Sequence, residues 1–285
     1  MTSVTNTRGT TNYTWDARNR LIGMNGFKPD CSSLIASFKY DALGRRIEKT
    51  INGRTIKYLY DGVDIVQEME NGTATVNYLR TLAVDEPLAR LQADGQVRYY
   101  QTDALGTVIA LTDSTGVIMT QYSYDPFGNT AVLGEASDNP FQYTGREDDG
   151  TGLYYYRARY YSPELQRFIS EDPIGLKGGI NKYSYVSNRP TMLVDPSGLA
   201  GCGPFGMSIP DRWGLGQCCN DHDDCYKDCK GKADCDKKFC ECLKNKCNLF
   251  DPSDRGACNC RASFYCNAVK GGGGIAYFPS CGSFQ

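Results

Sequence analysis

The N-terminal two-thirds of the chain follows a two-residue rhythm that ends repeatedly on an aspartate. Tyr13-Thr14-Trp15-Asp16, Phe38-Lys39-Tyr40-Asp41 and Tyr58-Leu59-Tyr60-Asp61 set rings two apart, and looser copies stand at Tyr99–Asp103 and Tyr122–Asp125. Rings at a period of two share one face of an extended strand. The Asp-x-x-Gly of Asp41–Gly44, Asp103–Gly106 and Asp125–Gly128 is turn chemistry, because aspartate bonds to nearby backbone and glycine accepts positive φ. The repeated aspartates lie 25, 20, 42 and 22 residues apart, so one copy between Asp61 and Asp103 has faded. Each unit is predicted to be a strand, a turn and a return strand, stacked on its neighbours as a solenoid-like sheet.

Beyond the repeats the pattern changes twice. Gly152–Tyr161 is a tyrosine-rich run that reads as an ordinary hydrophobic strand, and no catalysis is assigned to it. Asp172-Pro-Ile-Gly-Leu176 then recurs as Asp195-Pro-Ser-Gly-Leu199, each copy a turn signal taken alone. At residue 200 the composition breaks: residues 1–199 hold one cysteine, Cys31, and residues 200–285 hold the other 13 of the 14. A segment that small and that rich in cysteine reads as a disulfide scaffold meant for an oxidising place.

Charge adds little. Residues 200–285 carry 11 Lys plus Arg against 10 Asp plus Glu, or +1, which leaves −3 of the net −2 on the rest. Neither part has the basic stripe of a nucleic-acid binder, so nucleic acid is excluded as a partner at this stage. No apolar run is long enough to span a bilayer, and Met1–Arg8 lacks the apolar core of a signal peptide. The chain is therefore expected to be made in the cytoplasm and exported by another route, or to be a piece of something longer.

The repeats resemble the tyrosine–aspartate repeats of Rhs proteins, polymorphic toxins whose repeats wind into a hollow β-shell around a toxic C-terminus. The resemblance covers 1–199 and is most specific over 98–199, where Tyr143-Thr-Gly-Arg-Glu147, the tyrosine-rich run and Arg167–Pro173 are similar to the family's core-associated segment. It implies three parts: repeats over 1–97, the core-associated segment over 98–199, and a toxin over 200–285. The duplicated Asp-Pro-x-Gly-Leu is similar to the family's self-cleavage signature. That implies an aspartate pair, Asp172 and Asp195, cutting after Leu199. Two close carboxylates cannot both ionise freely, so one holds a proton while the other activates water.

In the cysteine-rich part the only histidine, His222, lies in Cys218-Cys-Asn-Asp-His-Asp-Asp-Cys-Tyr226. Structural zinc is disfavoured because the cysteines lack matched Cys-x2-Cys pairs. The stretch resembles the active-site helix of phospholipase A2, with Gly201–Gly206 similar to its calcium loop, in the group XII form, and Cys235–Leu243 similar to its partner helix. The resemblance implies His222 as base, Asp236 orienting it, and Tyr226 bonded to Asp236. It also implies Ca2+ on Asp223 and the carbonyls of Gly201, Gly203 and Phe205, with disulfides Cys202–Cys219, Cys218–Cys242 and Cys225–Cys235. Asp221 and Asp224 read as solvated helix charges. Met207, Ile209, Trp213 and Leu215 fit a lipid-facing rim or a small core equally well.

The expected fold is thus multidomain: an all-β repeat shell segment followed by a small, disulfide-rich, mainly α phospholipase A2-like domain. The expected function is a secreted or delivered calcium-dependent phospholipase A2 toxin that attacks the membrane lipids of a target cell, with an immunity protein among its partners. Two other classes stand beside it: a non-enzymatic binding module on the same scaffold, and a cell-surface interaction protein in which the repeats matter.

Overall fold

The computed structural model describes residues 1–81, 84–175, 180–199 and 232–249, with positions 218, 255, 258, 259 and 266. Thirteen strands pair antiparallel with their sequence neighbours in one uninterrupted meander. They are β1 (Ser3–Asn6), β2 (Gly9–Trp15), β3 (Leu21–Phe27), β4 (Ser33–Tyr40), β5 (Arg46–Ile51), β6 (Arg54–Asp61) and β7 (Asp64–Glu70). There follow β8 (Thr73–Arg80), β9 (Pro87–Gln92), β10 (Val97–Thr102), β11 (Val108–Thr112), β12 (Ile118–Tyr124) and β13 (Thr130–Gly134). The sheet passes through residue 98 without a break. A second, four-stranded sheet follows: β14 (Glu147–Asp148), β15 (Tyr154–Tyr156), β16 (Arg159–Ser162) and β17 (Arg167–Phe168).

The repeat turns form for the reason the sequence suggests. Asp41 accepts from the Arg45 backbone through Oδ1 (2.9 Å) and from Arg45 Nε through Oδ2 (2.7 Å), while its carbonyl accepts from Gly44 N (3.1 Å). Asp103 and Asp125 close the same loop onto the backbones of Thr107 and Asn129. Asp61 differs: it pairs directly with Asp64 across Gly62-Val63, a two-residue hairpin. One ring of each pair also ties its unit to the preceding one. Tyr40, Tyr60 and Tyr124 donate to the carbonyls of Leu21, Arg46 and Val108 at 2.6, 2.8 and 2.6 Å.

The ring-bearing face of the large sheet packs on the second sheet and its flanking loops. Leu34, Phe38 and Met24 meet Tyr155, Tyr160 and Ile169, whereas Tyr58, Tyr78, Tyr100 and Tyr122 meet Phe141. Both ends of the sheet reach the same turn: Arg8, between β1 and β2, pairs with Glu164, and Asn129, between β12 and β13, donates to Pro163 O at 3.5 Å. The sheet is therefore a wall wrapped around a plug formed by residues 140–199.

One buried cation fastens plug to wall. Arg46 is fully buried, pairs with Asp149, donates from Nη1 to Tyr160 Oη (3.1 Å), and lies 4.1 Å over the Tyr155 ring. Lys49 holds the other Asp149 oxygen at 3.2 Å. Burial alone would raise the Asp149 carboxyl; the Arg46 and Lys49 charges outweigh it and hold the group below the usual range.

Among the described residues past 200 there is one helix, α1 (Lys232–Cys247). Its buried face is Phe239, Leu243 and Cys247, at the i, i+4, i+8 spacing of a single stripe. Disulfides join Cys218 to Cys242, Cys240 to Cys266 and Cys247 to Cys258. The expected all-β shell stands, and so does the expected Cys218–Cys242 bridge; among the described residues one cross-linked helix gives no support for a mainly α phospholipase-like domain. Cysteine spacing specifies helix turns and bridges without specifying which fold they staple.

Candidate active site

The duplicated Asp-Pro-x-Gly-Leu motifs converge on one nitrogen. Arg159 Nη2 lies 3.1 Å from Asp172 Oδ2 and 3.2 Å from Asp195 Oδ2, and all three side chains are almost completely buried. Each aspartate is shaped by its own turn. Asp172 accepts from Ile174 N (3.0 Å) and its carbonyl from Gly175 N (2.9 Å), while its amide donates to Lys182 O (2.9 Å). Ser197 Oγ lies 3.3 Å from Asp195 Oδ1, so its one hydroxyl proton can turn to this carboxylate or to the Leu199 carbonyl. Arg159 opens β16 and is fixed from three further directions. Its guanidinium packs 3.6 Å from the Phe168 ring centroid, Nη1 donates to Lys182 O (3.2 Å), and Nε donates to Gly198 O. Burial pulls the Arg159 guanidinium below its ordinary value against the opposing pull of Asp195 and Asp172.

The segment expected to be cut lies across this pair. Ala158 N donates to Ser197 O at 3.1 Å, and the Pro196 carbonyl accepts from Arg157 and Arg146. Ser197 Oγ accepts from Leu199 N (3.2 Å) and lies 3.3 Å from the Leu199 carbonyl oxygen. A hydroxyl there can polarise the carbonyl that water would attack. Gly198, at φ +66, passes so close to the wall of the site that a Cβ would meet Tyr156 O at 1.9 Å. Gly198→Ala must therefore displace the segment, and gel densitometry should show cleavage slowed by on the order of a hundredfold.

Of the residues singled out in the sequence, Asp172, Asp195 and Leu199 are brought together. Arg159 and Ser197 were missed. Two arginines inside a run of five tyrosines, Tyr154–Tyr161, were the available signal, since a guanidinium there must be buried and paired. His222, Asp223, Tyr226, Gly201, Cys202, Gly203, Phe205, Cys219 and Cys225 lie outside the described residues, as do the side chains of Asp236 and Cys235 within α1. No cluster of three or more metal-ligating side chains occurs among the described residues, and no helix among them is long and apolar enough to cross a membrane.

The teneurin YD-shell family matches residues 4–190, and the chain belongs to it. A tRNA3(Ser)-specific nuclease WapA of Bacillus spizizenii is 38% identical over 197 residues, covering 65% of this chain and 8% of its own length. A double-stranded DNA deaminase toxin A of Burkholderia cenocepacia is 33% identical over 237 residues, covering 70% of this chain and 16% of its own. Among solved structures, the TcdB2-TccC3-Cdc42 crystal structure matches at TM-score 0.56 and 27% identity, covering 66% of this chain and 10% of that one. The chain thus spans a small fraction of the relatives it matches, and the family match ends before the cysteine-rich part.

These relatives confirm the repeat-shell toxin class and correct the activity. The phospholipase A2 reading, its lipid substrate and its target-membrane partner give way, because the matched relatives are named for action on tRNA and on double-stranded DNA. The exclusion of nucleic acid falls with them. The physical reason is plain in both cases. Cys-Cys-x-x-His-Asp-x-Cys-Tyr is a pattern that bridged helix turns can produce without one particular chemistry. A net charge near zero does not say where eleven cations sit on a surface.

Proposed function

We propose that residues 1–199 are the closing end of a toxin shell that cuts its own chain after Leu199 and so frees residues 200–285 as the effector. The observation that carries this reading is the convergence of Asp172 and Asp195 on Arg159, with the Leu199 carbonyl held beside Ser197. Arg159 bridges the two carboxylates and holds them close, the arrangement in which one can carry a proton while the other stays ionised. One carboxylate then takes a proton from water as the oxygen adds to the Leu199 carbonyl. The other gives its proton to the Ala200 nitrogen as the C–N bond breaks. Arg159 holds both carboxylates in place throughout, and the Ser197 hydroxyl supports the charge that grows on the carbonyl oxygen.

The freed effector is directed at nucleic acid. The support is the relatives, which share the shell and are named for tRNA and for double-stranded DNA. The test is to incubate the cut chain with total tRNA and with duplex DNA, reading strand breaks on a gel and base conversion by sequencing. The expected result is a change in one of the two that the uncut Asp172→Asn chain produces far more slowly. Neither substrate altered by the cut chain would remove this part of the reading.

A further inference from the structure

A second charged cluster meets the cut segment at the Pro196 carbonyl. Arg157 occupies the β15–β16 turn at φ 53, a left-handed conformation that non-glycine residues adopt only when their surroundings impose it. Both of its Nη atoms are engaged. Nη2 meets Asp85 Oδ1 at 2.5 Å and Asp64 Oδ1 at 3.3 Å; Nη1 meets Asp85 Oδ2 at 3.0 Å and also donates to Pro196 O. Arg146 pairs with the same Asp85 and reaches Pro196 O at 3.4 Å. The backbone N of Asp85 donates to Asp64 Oδ1 at 3.2 Å, and Arg80 lies 3.7 Å from that oxygen. Three guanidiniums thus face two carboxylates, and the Pro196 carbonyl receives two of the remaining donors.

The two aspartates belong to the wall: Asp64 opens β7, and Asp85 lies in the connection from β8 to β9. They reach Arg157 across 93 and 72 residues of sequence. These contacts exist only when β7, β8 and β9 are paired and the plug is docked against them. The wall departs from its own repeat here. The connection holds no Asp-x-x-Gly turn, and Asp85 itself is left-handed at φ 67. Burial alone would raise the Asp85 carboxyl, but Arg146 and Arg157 bring it down to about 2, so it stays ionised at every working pH.

Resting on the cleavage reading above, we propose that Asp85 is a positioning residue for the cut: through the Arg157 fork it sets the Pro196 carbonyl, and cleavage waits until the wall has closed on the plug. The cut peptide is then aligned from two sides. Arg159 holds Gly198 O on the aspartate side, and Arg157 holds Pro196 O on the wall side. A chain whose wall is incomplete keeps its aspartates but lacks this second hold, and it retains its effector.

The test is the rate of self-cleavage in the full chain, followed by gel after dilution from denaturant. The variants are Asp85→Asn, Arg157→Gln and Arg157→Lys, each with its urea unfolding midpoint. Asp85→Asn and Arg157→Gln should cut on the order of tenfold to a hundredfold more slowly at an unchanged site and a near-native midpoint. The double variant should be no slower than the slower single, because both changes remove one contact chain. Arg157→Lys keeps the charge without the fork and should fall between wild type and Arg157→Gln. Where Asp85→Asn fails to fold, the Arg157 pair decides alone. Folded Arg157 variants that cut at the wild-type rate overturn this inference and leave the cleavage reading standing. A wild-type chain that stays uncut overturns both.

Discussion

Asp172→Asn and Asp195→Asn should each leave the chain in one piece. Asparagine keeps the volume and most of the hydrogen bonding, so Arg159 loses one charge partner while the turns at Ile174 and Ser197 survive. What is lost is the proton traffic, since an amide neither takes a proton from water nor gives one to a leaving nitrogen. Removing one member of a cooperating catalytic group costs on the order of 10⁴-fold or more in the systems where it has been measured. At that loss, product should be undetectable on a gel over days. The two single variants and the double should be indistinguishable, because each abolishes the same step. A single variant that still cuts at even a tenth of the wild-type rate would mean that the pair does not work as a pair.

Asp149→Ala should be the most damaging single change to the fold. It removes the carboxylate from between Arg46 and Lys49 and strands a guanidinium that is fully buried under Tyr155 and 103 residues away in sequence. Leaving such a charge uncompensated costs about 3–5 kcal/mol, a large share of the margin of an ordinary domain. Urea unfolding should show the midpoint falling steeply, and the cut should slow in parallel as the plug loosens. The same group gives a pH dependence with a definite sign. The folded-state value of Asp149 is depressed, so its contribution is complete above the unfolded value, about 4, and is lost as pH falls through the lower folded value. Acid unfolding of wild type should therefore have a component that Asp149→Ala lacks.

How much of this was legible in the sequence depends on range. The repeat turns were, because Asp41 and Arg45 or Asp103 and Thr107 are four residues apart and the chemistry is complete within the loop. The aspartate pair was legible because the chain states its motif twice. The buried arginines were not. Arg46, Arg146, Arg157 and Arg159 look like surface charge until their partners arrive from 13 to 103 residues away. The faded repeat was visible only as a gap of 42 residues; its use in bringing Asp85 to Arg157 needed the wall to be closed. In the cysteine-rich part, spacing was read as chemistry, and it is spacing of that kind that helix and bridge geometry alone can impose.

The most direct test of the central claim is the intact mass of the purified wild-type chain, with sequencing of any new N-terminus. The account predicts two species, one ending at Leu199 and one beginning at Ala200, and a single species in the Asp172→Asn chain. A wild-type chain that remains one species of 31.5 kDa would contradict it.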